Sequence, residues 1–439
     1  MRTLLKQLFC SPVFISSAVL VSRVVGSALE WWWRPWSLNL QGPYGWEVGR
    51  VAESIASGKG FGNPLSLFDT GPTAWLCPVY PYMVGIIFKL WGICSVKSHL
   101  VLLALNCVFA ALTIFPIYSI AKRTFGAEVA VLASWIWFVV PSTWILPRYV
   151  WDSALDALSL ALIFWATLAV RSQRRIMTWA AYGALWAIGA LINASVLSLA
   201  PFLFGWLFWE LRRQAVPWIR PMATAVLLFV LGVAPWTLRN YLVFGKFIPI
   251  RSNMGLMLWF GNHPGVHGID TTLSPFANPV EGDLYRRMGE IPYMTAKKHE
   301  AVAFMVSHPG RTLGLTLHGV WTYWFEVSDR HNIPWYEGST FVKAYFVLNV
   351  LLILGTFAGM ALALRSRIPE AALYLSVLLF FPLVYYLTRP GLRFRFTIEP
   401  VLVVLAAYGA AYTLDWARER RSRHSVIPLS ADSSSAHDL

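Results

Sequence analysis

Residues 176–209 read IMTWAAYGALWAIGALINASVLSLAPFLFGWLFW, 34 residues without a single charged side chain. A helix rises about 1.5 Å per residue and the hydrocarbon core of a bilayer is about 30 Å thick, so one crossing takes about 20 apolar residues. The run is too long for one crossing and just long enough for two. Asn193, Ser195 and Pro201 mark where the chain turns back. Arg171, Arg174 and Arg175 precede the run and Arg212, Arg213 and Arg220 follow it, so both of its ends carry the basic clusters that mark a cytoplasmic side. The predicted architecture is an all-α polytopic membrane protein.

Outward from this hairpin the pattern repeats. Apolar runs at 11–29, 100–121, 129–146 and 153–170 precede it, and runs at 221–238, 341–364, 371–388 and 396–414 follow, for about ten spans in all. An even count puts both termini on one side. The short-loop clusters Arg2/Lys6, Lys122/Arg123, Arg365/Arg367 and Arg418–Arg423 fall on that same side, which is therefore the cytoplasm. The chain reads as one integral membrane domain, 1–415, with a first exterior loop at 30–99, a long one at 239–340 and a disordered Ser-rich tail at 416–439. Stretches 74–91, broken by Pro78 and Pro81, and 312–325 read as interfacial helices. No small-residue cleavage site precedes Trp31, so the first apolar run is expected to remain as a span, its end marked by Trp31–Trp33 and Trp36. Arg23 inside it costs about 2.5–3.5 kcal/mol at mid-membrane and is expected to pair within the bundle.

Composition agrees. Hydrophobic residues make up 57% and charged residues 13%, with mean hydropathy +0.54. The net charge of +14 comes from the orienting clusters, and no nucleic-acid partner is expected. Four cysteines are too few for a disulfide framework. Cys77 and Cys94 share the exterior loop, and unpaired thiols are the favoured reading.

Three exterior features carry possible chemistry. Residues 45–61 read as a one-sided helix of about three turns, with an apolar stripe of Trp46, Gly49, Val51, Ala52, Ile55 and Ala56, and Gly58 and Gly60 ending it. Glu47 lies at its start, either as a general base or in a salt bridge with Arg50 at i+3. Asp152 stands at the exterior end of a span, either as an acid–base group or as the cap of the helix that starts at Ser153, with Asp156 one turn on. The loop Thr388-Arg389-Pro390-Gly391-Leu392-Arg393-Phe394-Arg395-Phe396 holds three arginines on the side where arginine is rare. If the segment is extended, Arg393 and Arg395 share one face, suited to a lipid phosphate, or else they pair with headgroups or Glu399. His263, His267, His299, His308 and His318 follow no ligand spacing, so no metal is expected, and no P-loop is present to drive a pump.

One span, an exterior acidic helix ending in Gly58-Lys59-Gly60-Phe61, then Pro72-Thr73-Ala74-Trp75 and Pro78-Val79-Tyr80-Pro81-Tyr82, resembles the bacterial membrane glycosyltransferases of the GT-C fold. Trp151-Asp152, Gly261-Asn262-His263-Pro264-Gly265 and Arg393-Phe394-Arg395-Phe396-Thr397-Ile398-Glu399-Pro400 extend the likeness, which is greatest to the group of protein mannosyltransferases and lipid A aminoarabinose transferases. The resemblance implies inverting transfer of a sugar from a polyprenyl-phosphate donor to a lipid, glycan or protein hydroxyl, at the exterior face of the bacterial inner membrane and without metal. It sets Glu47 and Asp152 as catalytic candidates and Arg393, Arg395 and Arg389 as donor-phosphate ligands, with Arg50, Tyr80, Asn262 and His263 as pocket candidates. Glu47 departs from the family, where many relatives have Asp. The alternative classes are a lipid or solute transporter, which would need ionisable groups at mid-membrane beyond Arg23 and Asp156, and an envelope scaffold.

Overall fold

The computed structural model describes residues 7–33, 47–65, 69–266, 274–325, 340–388 and 390–425. Helix α1, Pro12–Trp33, is followed by α2, Glu47–Ala56, and α3, Val79–Trp91. Next come α4 (Val96–Leu112), α5 (Ile114–Phe125), α6 (Ala127–Val139), α7 (Ser153–Val170) and α8 (Ile176–Ile192). A 3-10 segment, Ala194–Leu199, leads to α9 (Ala200–Arg213) and α10 (Ile219–Phe244). Four helices form the long connection: α11 (Met254–Gly261), α12 (Pro279–Met288), α13 (Glu290–Ser307) and α14 (Pro309–Phe325). Helices α15 (Thr340–Arg365), α16 (Ala371–Phe380) and α17 (Glu399–Ser425) follow, with short turns Leu383–Leu387 and Leu392–Arg395 between the last two. No strand occurs among the described residues.

Seven of these segments are long and apolar enough to cross a membrane. Four shorter apolar helices accompany them, α3, α6, α8 and Ala371–Leu387, of which α3 covers the stretch read above as interfacial. The expected turn at Asn193 is present: its side chain accepts from Ser195 N and caps the 3-10 segment.

The ends differ in three places. The 100–121 run is two helices that begin at Val96 and join at Thr113, whose hydroxyl bonds back to Phe109 O at 2.7 Å. The 129–146 run leaves the helix at Val140, which precedes Pro141 and adopts φ −55°, ψ 124°. Residues 416–425, expected to be disordered, continue α17, and 426–439 lie outside the described residues.

Small residues let helix backbones meet. A Cβ on Gly183 of α8 would lie 2.0 Å from Ala225 O of α10, and one on Gly359 of α15 would lie 2.0 Å from Leu405 O of α17. Arg23 is paired within the bundle as expected. Its Nη2 donates to Phe138 O at 2.6 Å and Thr143 Oγ1 at 2.8 Å, and its guanidinium sits 3.5 Å above the Trp144 ring.

Helix α2 turns Val48, Val51 and Ala52 inward, with Ile55 against Gly85 of α3. The helix is one-sided as the sequence describes, but its buried face also takes in Val48 and Ser54, and Trp46 lies outside the described residues. Helix α14 exposes Leu313, Leu317 and Trp321 on one stripe and buries Gly319, Thr322 and Tyr323 on the other, as an interfacial helix would.

A buried carboxylate joins the first loop to the long one. Glu290 accepts from Thr73 Oγ1, from Ala74 N at 2.8 Å, from Ser252 Oγ at 2.6 Å and from Tyr285 OH at 2.8 Å. Burial and the Glu290 charge hold the Tyr285 phenol above its usual pKa, so it stays a donor. Arg239 adds bonds to Thr73 O and Phe61 O, at 2.6 and 2.8 Å. Every donor faces an acceptor, which is the condition for a buried polar network to hold its parts firmly.

Candidate active site

The polar groups collect at one end of the bundle, where α7 begins and where the turns after α8 and α16 and the start of the long connection meet. Asn106 of α4 donates to Tyr149 O at 2.8 Å and Pro147 O at 3.3 Å, and so holds the loop that delivers Trp151 and Asp152. Tyr149 stacks on Trp151, centroids 4.6 Å apart. Asp152 takes the N-cap position of α7, but its side chain makes no cap bond. The capping alternative is therefore not realised, and the half-buried carboxylate is left for other use.

One turn on, Asp156 is buried and accepts from Asn193 Nδ2 at 2.9 Å, while its second oxygen has no partner. Asp156 lies within electrostatic reach of Asp152, Arg393 and Arg251. Arg393 lies with its guanidinium carbon 4.6 Å from the Trp151 ring centre and forms no ion pair among the described residues. Arg251 donates to Trp75 O at 3.3 Å. Burial pushes the Cys77 thiol up to about 11, with Arg251, Asp152 and Asp156 all close enough to act on it. The cluster is thus two carboxylates and two guanidiniums beside aromatic faces. It suits an anionic ligand with a flat or apolar portion, next to a base.

Other candidates are distributed differently. Glu47 is the first residue of α2, half-buried and without an ion pair among the described residues. Its expected partner Arg50 bonds Glu53 instead, at 3.2 Å. Val48 and Val150, neighbours of Glu47 and Asp152 along the chain, belong to one apolar cluster. Tyr80 is buried, its hydroxyl 3.4 Å from Asn106 Oδ1. Asn262 donates to Leu258 O at 3.0 Å and Leu387 O at 2.7 Å, which ties the long connection to the last loop and leaves Asn262 no free donor edge. His263 stacks on Trp259 at 4.4 Å, with a buried Nε2 that has no partner. Arg389 and His267 lie outside the described residues.

Arg395 requires a correction. Residues Leu392–Arg395 form a helical turn, so Arg393 and Arg395 point apart where an extended segment would have aligned them. Arg395 is buried in an ion pair with Glu399, at 3.0 Å, the alternative that the sequence also offers for it.

Arg251, Asn193 as an acid's partner, and Glu290 were not read as site residues. Arg251 sits among the aperiodic charges of 239–340, where no spacing distinguishes it. All four cysteines are free thiols. Among the described residues no three His, Cys, Asp or Glu side chains are gathered as metal ligands.

Residues 72–237 match the family model described as dolichyl-phosphate-mannose-protein mannosyltransferase, less than half of the chain. No curated protein matches it in sequence. Among solved structures, the oligosaccharyltransferase AglB from Archaeoglobus fulgidus, in complex with an inhibitory peptide and a dolichol-phosphate, superposes with TM-score 0.53 at 15% identity, over 95% of this chain and 52% of that one. The same organism's oligosaccharyltransferase tethered to an acceptor peptide gives 0.55 at 14%, over 94% and 51%. ArnT from Cupriavidus metallidurans bound to undecaprenyl phosphate covers 95% of this chain and 80% of its own at 14% identity, with TM-score 0.41. The chain spans about half the length of the archaeal oligosaccharyltransferases it matches. The likeness shows the fold, and that fold is the GT-C arrangement of membrane helices.

Proposed function

We propose that the chain is a membrane glycosyltransferase that moves a sugar from a polyprenyl-phosphate donor to an acceptor hydroxyl at the exterior face of the bacterial cytoplasmic membrane. The observation that carries this reading is the Asp152 carboxylate without a cap bond, next in the chain to Trp151, whose ring lies 4.6 Å from the Arg393 guanidinium, itself without an ion pair among the described residues. The family match over 72–237, and the dolichol-phosphate bound to the neighbour with the same fold, support a lipid-phosphate donor.

In this mechanism a carboxylate, Asp152 or Glu47, takes the acceptor O–H proton. The oxygen attacks the anomeric carbon from the face opposite the phosphate, the C–O bond to phosphate breaks, and the polyprenyl phosphate leaves with the electron pair, so the anomeric centre inverts. Arg393, with Arg251 nearby, offsets the charge that grows on the leaving phosphate. Two guanidiniums supply the positive charge, and the reading assigns no metal role. The acceptor is a lipid, glycan or protein hydroxyl.

The test is a deletion strain complemented with wild type, Glu47→Gln or Asp152→Asn, with lipid-linked sugars and surface glycans compared by mass spectrometry. The expected result is a polyprenyl-phosphate sugar that accumulates and a glycan that lacks one residue, reversed by wild type and not by the variant that lacks the base. Unchanged glycans with a lipid or solute stranded on one side would instead indicate a transporter.

A further inference from the structure

The turn that carries Arg393 is held by a buried ion pair. Arg395 is 1% exposed and Glu399 0%. Arg395 donates to Glu399 Oε1 at 3.0 Å, to Asn349 Oδ1 at 2.5 Å and to Trp324 O at 2.7 Å, and Ser142 donates to the other Glu399 oxygen. One pair therefore gathers the end of α14, the body of α15, the start of α17 and the turn after α6. Phe396 adds a stack on Trp137, 5.5 Å between centres.

Burial of two charges is expensive, and an apolar pair of similar volume is often as stable or more so. Stability alone does not explain the arrangement. What the pair does supply is direction: side chains two residues apart on a helical turn diverge by about 200°, so anchoring one aims the other.

We propose that the Arg395–Glu399 pair is a positioning device for Arg393. Pinned to three helices and the turn after α6, the Leu392–Arg395 turn holds the Arg393 guanidinium over Trp151, where it receives the phosphate of the lipid-linked donor. The proposal rests on the phosphate-binding reading of Arg393 given above. It makes Arg395 a positioning residue that acts through its neighbour and does not touch the donor.

The test uses the full chain in nanodiscs with undecaprenyl phosphate as the probe. Wild type is compared with the double variant Arg395→Met/Glu399→Leu, which replaces the pair by apolar side chains, with Arg395→Lys, and with Arg393→Ala. In the double variant, hydrogen exchange at 391–398 is expected to quicken at unchanged melting temperature, and probe affinity to fall about tenfold, as it does in Arg393→Ala. Arg395→Lys keeps the charge without the fork and is expected to fall between wild type and the double variant. If the double variant fails to fold, Arg395→Lys alone decides: unchanged affinity overturns the proposal.

Faster exchange with unchanged affinity overturns it, because the pair is then only structural. Unchanged exchange, or a wild type that does not bind the probe, overturns it as well. If the pair governs probe binding but wild type transfers no sugar, the positioning role stands and the glycosyltransferase reading fails.

Discussion

Asp152 holds the N-cap of α7 without using it, and this sets what its substitution will do. An Asp that capped would cost about 1 kcal/mol of stability on replacement. Here Asp152→Asn removes no such bond, so the melting temperature is expected to stay while transfer falls about 10²–10⁴-fold, measured with purified enzyme and a lipid-linked sugar. Glu47→Gln in the same assay identifies the base, since only that carboxylate gives the full loss. Cys77 offers a check on burial. With its pKa at about 11, about one thiol in a thousand is ionised at pH 8, so maleimide at that pH is expected to label the exposed Cys10 and spare Cys77. Asp152 and Arg393 stand out in the sequence because a charge at the end of an apolar run has few explanations, and their roles are left to these assays. The extended form of 392–396 fails because strand-like alternation and a single helical turn send i and i+2 to different places, and nothing local separates the two, whereas the Glu399 alternative for Arg395 is the one realised. Glu290 was invisible for another reason: its ligand Thr73 lies 217 residues away.

Helices carry their own predictions. Gly359→Ala puts a methyl where Leu405 O stands 2.0 Å off, so α15 and α17 must move apart and thermal stability in detergent should drop. Gly314 in α14 has nothing within 4 Å of its missing Cβ, and Gly314→Ala is expected to be neutral or to stabilise by up to about 1 kcal/mol. The buried pair behaves differently again. Glu399→Leu alone strands the Arg395 charge and is expected to cost about 3–5 kcal/mol, more than the double variant that removes both charges, as read by thermal unfolding of the purified protein. The long apolar helices were readable from apolar length, but α11, α12 and α13, inside the polar 239–340 stretch, were not. Helix ends were less so, since Thr113 and Pro141 act through backbone geometry that a hydropathy window averages away.

For the whole molecule, the ten alternating crossings read from the sequence make a prediction about sides, because they assign the basic clusters to one face. Single cysteines introduced at Gln173 and at Val280 are expected to react with an impermeant thiol reagent from opposite sides, Val280 from outside the cell. Reaction of both from one side would refute the three crossings expected between them. The Glu290 network has a further, cooperative consequence. Because one carboxylate takes donors from 73–74, 252 and 285, those segments have no separate way to loosen: releasing any one strands a buried charge for the others. The segments that Glu290 joins should therefore behave as a single foldon, their amides at Ala74, Ser252 and Tyr293 exchanging at one common opening free energy despite lying some 220 residues apart in the chain.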